Sequence, residues 1–295
     1  MINLDLNLIK TFVVVYESKS ISIASHKLFV SQPAISGSIK KLENFLSVRL
    51  FIRKRTGVVP TMEGTEFYNQ CKTALNTLRQ GVNNLISFNN LSKGHLRIGS
   101  SSTIIRVLLT DFITEFSKEY PKIKITIVDG TSGVLLKALR AKEIDLAILS
   151  TPISNLSEFL ATTITTTTDS FIAAYNFEKD FIDKSQLKNF PLVVQKFPSN
   201  NRESFEKVCQ LNNLNLTPNY EMTSFGLITD FVEKGLGIGF TIEDFIQKDL
   251  KSKRVKIIKT NLTIPKRKVV AIVGKDGTGI VCKKFIEKLQ GKFQK

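Results

Sequence analysis

Residues 20–50 read SISIASHKLFVSQPAISGSIKKLENFLSVRL, two short helical patterns separated by a tight break. In the second, Ile35, Ile39, Leu42 and Leu46 recur at steps of four, three and four, which puts them on one helix face and predicts that this face is buried. The opposite face carries Pro33, Ser36, Gly37, Lys40 and Asn44, with Lys41 at its border, a small, polar and basic surface. Ser31 is a good N-cap, and Pro33 falls in the first turn, where a missing N–H costs nothing. Gln32 projects forward from that start. The preceding pattern, roughly Ser20 to Phe29, braces it through Ile21, Ala24 and Leu28. Such a pair is a helix-turn-helix whose second helix suits a DNA major groove, and Gln32, able to pair bidentately with adenine, is the first candidate base reader. A surface helix pair in an all-α domain has the same periodicity, so the flanking sequence decides.

Upstream, Asp5 can cap a helix in which Leu6, Ile9, Val13 and Tyr16 recur at helical spacing, with Phe12 widening the stripe. This completes the three helices that a helix-turn-helix domain needs. Downstream, Arg53, Lys54 and Arg55 lead into Thr56-Gly57, a short β-like segment and Pro60, which reads as a basic wing. Arg53 and Arg55 share one side of a strand, where such residues contact phosphate or enter a minor groove; a charged hairpin facing solvent is the alternative. From Thr61 to about Asn90 a long polar helix is expected, with Thr61 as N-cap. Tyr68, Cys71, Leu75, Leu78, Val82 and Leu85 follow the spacing of a helix seam, which implies a partner helix, in a second copy or in the same chain. Gly81 weakens this seam by about 1 kcal/mol.

At 295 residues the chain has room for about two domains, and 42% hydrophobic content is ordinary for a globular protein. No run of about 18 apolar residues is present and no export signal opens the chain, so a cytoplasmic protein with no membrane partner is expected. Cys71, Cys209 and Cys282 are odd in number and never spaced as CxxC, which suggests reduced, packed thiols with no disulfide framework and no metal site. The net charge of +16 favours a polyanionic partner. Residues 1–90 hold 11 Lys and Arg against 5 Asp and Glu, the middle through residue 247 is slightly acidic, and residues 248–268 hold 9 against 1. Only the first basic region accompanies a recognition motif; the second reads as a solvated edge strand and loop.

After Ser92-Lys93-Gly94 the character changes. HLRIGS is strand-like, STIIRVLLTDFITEFSKEYP is an amphipathic helix ended by Pro121, KIKITIVDG alternates as a strand, TSGVLLKALRAKE is a helix and IDLAILS is a short apolar strand. This β-α-β-α-β order is the signature of an α/β domain with a parallel sheet. A second region runs from DSFIAAY through PLVVQK, a helix from about Asn200 to Leu211, a strand near Tyr220 and the unit SFGLITDFVEKGLGIGFT. KVVAIVG and the final helix return to the first region, so two subdomains with a cleft result.

The whole chain resembles the LysR-type transcriptional regulators. The specific part of the match is Phe12, Ser20, Ala24, Leu28, Ser31-Gln32-Pro33-Ala34-Ile35-Ser36, Ile39, Leu42-Glu43, Leu50-Phe51, Arg53, Thr61 and Gly64, all at that family's spacing. Ser47 stands where the family usually has Gly, Pro60 where it has Leu, and Ser25 where a second Ala is common. Gly37 replaces a longer exposed side chain, which shifts base contact onto Ser36 and Lys40. The resemblance implies a winged helix-turn-helix over residues 1–60, a dimerising linker helix over 61–91 and an effector-binding domain over 94–295. It also implies a periplasmic-binding-protein-like split of the last into subdomain I, about 94–163 and 267–295, and subdomain II, about 164–266. Expected partners are double-stranded DNA, a small-molecule effector, a second copy in a dimer or tetramer, and the transcription machinery. Ser31, Gln32, Pro33, Ala34, Ser36, Lys40, Arg53 and Arg55 are the candidate DNA contacts.

Ligand clefts in open α/β folds form at the C-terminal ends of strands, where helix N-termini point N–H groups outward. Those junctions are rich in hydroxyls here: Ser100, Ser101, Ser102 and Thr103 after the first strand, Thr131 and Ser132 after the second, Ser199 with Asn200 before a helix, and Ser224 at another. By resemblance Ser100, Ser101, Ser102, Thr103, Thr131, Ser199, Asn200 and Ser224 line the effector cleft. The dipoles favour an anionic effector, with Arg106 and Arg202 as its candidate partners, although hydroxyls at these positions also serve simply as caps. An enzyme is the competing class, but His26 and His95 are the only histidines and no GxSxG, HExxH, CxxC or phosphate-loop pattern occurs. Gly235, Gly237 and Gly239 lack the context of a dinucleotide fingerprint, so no cofactor is expected. A stand-alone solute-binding protein would need an export signal where this chain has a helix-turn-helix.

Overall fold

The computed structural model describes residues 4–54, 57–87, 93–275 and 277–293. They form two compact units, the first running to Val82 and taking in residues 140–143, the second holding the rest. In the first unit α1 (Leu6–Ser18), α2 (Ile21–Leu28) and α3 (Gln32–Leu46) are followed by the hairpin β1 (Phe51–Lys54) and β2 (Gly57–Pro60), then by α4 (Met62–Ser87). Side chains cap the helix starts: Asp5 accepts from the Asn7 N–H, Ser20 from Ile23, Ser31 from Ala34 and Thr61 from Gly64. The first three helices stop at Lys19, Phe29 and Ser47, each left-handed with φ of 52°, 56° and 55°.

The apolar periodicity becomes one core. Phe12, Val15, Ala24, Ile35, Leu42 and Leu50 are buried, with the Phe12 ring 5.4 Å from Phe51 and 5.3 Å from Phe67. Glu43 ties the hairpin to α3 by accepting the Leu50 and Phe51 N–H groups at 2.8 and 3.2 Å. The α4 seam divides. Cys71 is buried and Tyr68 and Leu75 pack against this same core, whereas Leu78, Val82 and Leu85 are 54%, 56% and 73% exposed. Half of the seam therefore finds its partner within its own chain.

The second unit contains two sheets. In the first, β3 (Gly94–Ser100) pairs in parallel with β4 (Ile123–Asp129) and β5 (Leu146–Ser150), and β13 (Arg267–Gly274) pairs antiparallel with β5 and β6 (Phe159–Thr167), giving the order β4-β3-β5-β13-β6. The second has the order β10-β9-β11-β7-β12-β8, built from β7 (Asp169–Ala174), β8 (Phe181–Ile182), β9 (Leu192–Gln195), β10 (Tyr220–Met222), β11 (Ile238–Ile242) and β12 (Val255–Thr260). Helix α5 (Ser102–Ile104) continues through a π-helical stretch, Ile105–Leu109, into α6 (Thr110–Glu119). The remaining helices are α7 (Ser132–Arg140), α8 (Asn200–Leu211), α9 (Gly226–Glu233), α10 (Gln247–Lys251) and α11 (Ile280–Phe293). The chain crosses between the sheets after β6 and again before β13. At these crossings Asp169 and Arg267, both buried, form an ion pair of 3.0 Å, and Ser204 donates to the other Asp169 oxygen. Burial raises the Asp169 carboxyl above its ordinary value, while Arg267 and Ser204 pull it back.

Three details differ from the sequence expectation. Nothing in the sequence pattern marks the threonine-rich β6 as a strand; one of its faces is exposed and its register is set by β13, more than a hundred residues later. The expected single helix after β3 contains the π-helical stretch. The second basic region is only partly a sheet edge: β12 pairs with β7 over Val255–Ile258, and the two-residue β8 pairs with it at Lys259 and Thr260.

Candidate functional sites

The first site is the outer surface of α3. Ser31, Gln32, Pro33 and Ala34 are exposed at its start, Lys40 is exposed further along, and Ser36 is half-buried between them. Gln32, Pro33 and Ser36 share a shallow concavity with Arg53 of β1 and with Ile21, so the helix start and the wing contribute to one surface. Lys40 and Arg53 meet again along a second concavity, together with Asn44 and Arg49. Gln32 Nε2 lies 3.4 Å from Ser22 Oγ, a long contact that leaves the amide available. A Cβ added at Gly37 meets nothing within 4 Å, so this step of the face is open. Arg55 lies outside the described residues. Sequence reasoning does not single out Arg49, because its isolated charge follows no motif; only the turn after α3 brings it beside Lys40 and Arg53.

The second site is a cavity of about 250 Å³ in the second unit, walled by residues from both sheets' loops. Ser101, Ser102, Thr103, Thr131, Ser199 and Asn200 line it, as does Ser132. Two expected residues do not. Ser100 is fully buried and donates its hydroxyl to the Ile148 carbonyl at 2.6 Å, and Ser224 is exposed beside the wall residues Thr223 and Phe225 without capping α9. Ser199 caps α8 by accepting the Arg202 N–H at 3.1 Å. Asn200 bridges the two halves: it accepts from the Ser132 hydroxyl at 2.5 Å and donates to the carbonyls of Ser150 and Pro152.

The charges on this wall are few. Arg267 is on it, but its guanidinium serves Asp169, the Thr151 carbonyl and Asn201. Arg202 is held by Glu206 and Glu221 and stacks on Phe197, so it is not free for a ligand. Arg106 is exposed and reaches Gly226 at the start of α9, but it does not line the cavity. Asp129, at the end of β4, lines the cavity, and so does Ser150, which is 5% exposed with no hydrogen-bond partner for its hydroxyl. Neither stands out in the sequence. Asp129 ends a strand as many aspartates do, and Ser150 is marked only by the absence of a partner, which no pattern records.

A winged helix-turn-helix joined to a two-sheet α/β domain with a cleft cavity defines a DNA-binding regulator with an effector domain. Residues 6–65 match the model of the bacterial regulatory helix-turn-helix protein, lysR family, and residues 89–294 match the LysR substrate binding domain. The chain belongs to the LysR family of transcriptional regulators and is not an enzyme. It is 26% identical over 271 residues to the HTH-type transcriptional regulator CysL of Bacillus subtilis, covering 89% of each chain. It is 30% identical over 155 residues to the transcriptional dual regulator GltC of the same organism, about half of each chain. Its fold matches a full-length OxyR variant from Pseudomonas aeruginosa with a TM-score of 0.74, at 19% identity, over 99% of this chain and 95% of that one. CbnR, a LysR family regulator, matches with a TM-score of 0.69 at 15% identity over 98% and 99%. No described helix is long and apolar enough to cross a membrane.

Proposed function

We propose that this regulator acts in the cytoplasm, reads double-stranded DNA sequence with the outer face of α3 and responds to a small anionic effector held in the 250 Å³ cavity. The observation that carries the reading is the shared surface of Gln32, Pro33 and Ser36 with Arg53, which joins a base-reading helix start to a phosphate-contacting wing. Ser31 and Ala34 flank the reading position, and Lys40 extends the contact along the groove; Arg55 is the further phosphate contact that the sequence proposes. Two copies, joined through the exposed half of the α4 stripe, present two such surfaces to inverted half-sites, and pairing of dimers gives the tetramer. At the cavity, the N-termini of α7 and α8 and the hydroxyls of Ser102, Thr103 and Thr131 favour a negative group. Closure of the two halves around it changes how the DNA-reading surfaces are presented, and so how the transcription machinery is engaged.

Selection of bound sequences from random duplex DNA, with the purified full chain at two salt concentrations, tests this. Recovery of a two-fold symmetric motif that persists at the higher salt is expected. Recovery of no motif, with binding erased by salt, overturns sequence reading.

A further inference from the structure

A simple anion fits only part of the cavity. Among the described wall residues, Arg267 is the cationic side chain, and it is already neutralised by Asp169 and wrapped by Thr151 and Asn201. The other charged wall residue is Asp129, whose carboxylate has no ion pair or hydrogen bond among the described residues. A carboxylate ligand with nothing positive of its own would sit in this cavity facing the solvent-exposed, unpaired carboxylate of Asp129. The opposite requirement comes from the same wall. The N-terminus of α7 begins three residues after Asp129, the nine-residue helix α7 and the twelve-residue helix α8 both start on the wall, and the Ser150 hydroxyl is buried there without a partner. A group that accepts hydrogen bonds and one that carries positive charge are thus both called for, within a short span.

We infer that the effector is a small zwitterion, an amino acid whose ammonium group pairs with Asp129 and whose carboxylate takes the N–H groups at the start of α7 together with the Ser150 hydroxyl. Asp129 and the first residue of α7, Ser132, both line this cavity, so one small ligand can meet the carboxylate and the helix start together. Ser132 and Asn200 remain tied to each other, so the ligand does not need to break that bridge to enter. This inference rests on the cavity being the effector site, and it narrows the anionic effector proposed above to one whose carboxylate is accompanied by an ammonium group of its own.

The test is calorimetric titration of the full-length protein with the proteinogenic L-amino acids, each paired with the carboxylic acid lacking its amino group. At least one amino acid is expected to bind, with its deaminated counterpart weaker by ~100-fold and with Asp129→Asn lowering affinity by at least ~10-fold, as for loss of a charge-assisted contact. Thr131→Trp, which fills the cavity, is expected to abolish binding. Equal binding of the deaminated acid, an unchanged affinity in Asp129→Asn, or binding by no amino acid overturns the zwitterion. Carboxylates that bind wild type and are lost in Thr131→Trp would then leave the cavity reading intact. Binding that survives Thr131→Trp overturns the cavity reading itself.

Discussion

Ser47 and Gly64 lie at the two junctions that flank the wing, and each shows what a single side chain costs there. Ser47 ends α3 in the left-handed region at φ 55°, a conformation in which a Cβ crowds the backbone. Gly64 is in the first turn of α4, and a Cβ added to it would stand 2.2 Å from the Leu50 carbonyl oxygen, a backbone atom that cannot yield alone. Ser47→Gly is therefore expected to stabilise the protein by about 1 kcal/mol and Gly64→Ala to destabilise it by about 1–3 kcal/mol, read from denaturant midpoints. Reversal of either sign would contradict the local geometry. The family resemblance marks both positions but not the reason for them. Glu43 is a similar case: it stands beside the outward residues of α3 in sequence, yet its carboxylate is spent on the Leu50 and Phe51 N–H groups.

At the scale of elements, α4 is a helix with two fates along one stripe. Its first half completes the core around Phe12 through Phe67, Tyr68, Cys71 and Leu75, with Tyr68 stacked on Tyr16 at 3.8 Å. Its second half leaves Leu78, Val82 and Leu85 exposed, a row that an intramolecular partner does not cover. Replacing these three by serine is expected to weaken self-association by on the order of 3 kcal/mol, roughly a hundred-fold, seen as a shift to monomer by light scattering at micromolar concentration. An unchanged mass would remove α4 from the interface. The periodicity alone shows the stripe but not where it divides, because the division depends on how far the core of α1–α3 extends. The strand β6 is hidden for a related reason: a run of threonines has no apolar alternation, and only pairing with β13 makes it a strand. By contrast α3 is legible because its period and its Ser31 cap agree, and β3 and α7 are legible from their periods alone.

Across the whole chain the excess of positive charge falls in two stretches, residues 1–90 with 11 basic against 5 acidic residues and residues 248–268 with 9 against 1, and the two use it differently. The first accompanies the helix-turn-helix, whereas several cations of the effector domain are paired: Arg254 with Asp230, Glu233 and Asp249, Lys256 with Asp180, and Arg267 with Asp169. The same contrast explains what the sequence could tell about function. The proposed DNA contacts are mostly exposed residues at fixed helical spacing, which a sequence displays, while a ligand cavity is assembled from loops far apart in the chain. Six of the eight expected effector positions line the cavity, but its free charge, Asp129, and its unpartnered hydroxyl, Ser150, emerge only from the fold. The cysteines are buried off this wall, and burial pushes their thiols up to about 11 for Cys71 and Cys209 and about 12 for Cys282, so they stay protonated at neutral pH.

Whether α3 reads bases while the wing holds the backbone is decided by comparing Gln32→Ala and Arg53→Ala on the selected duplex and on random duplex at two salt concentrations. Gln32→Ala is expected to lose about 1–3 kcal/mol on the selected duplex and little on random DNA, since the adenine pair is what it forfeits. Arg53→Ala is expected to weaken both duplexes alike and to reduce the salt slope by about 1. Equal losses on both duplexes for Gln32→Ala would contradict the assignment of base reading to the start of α3.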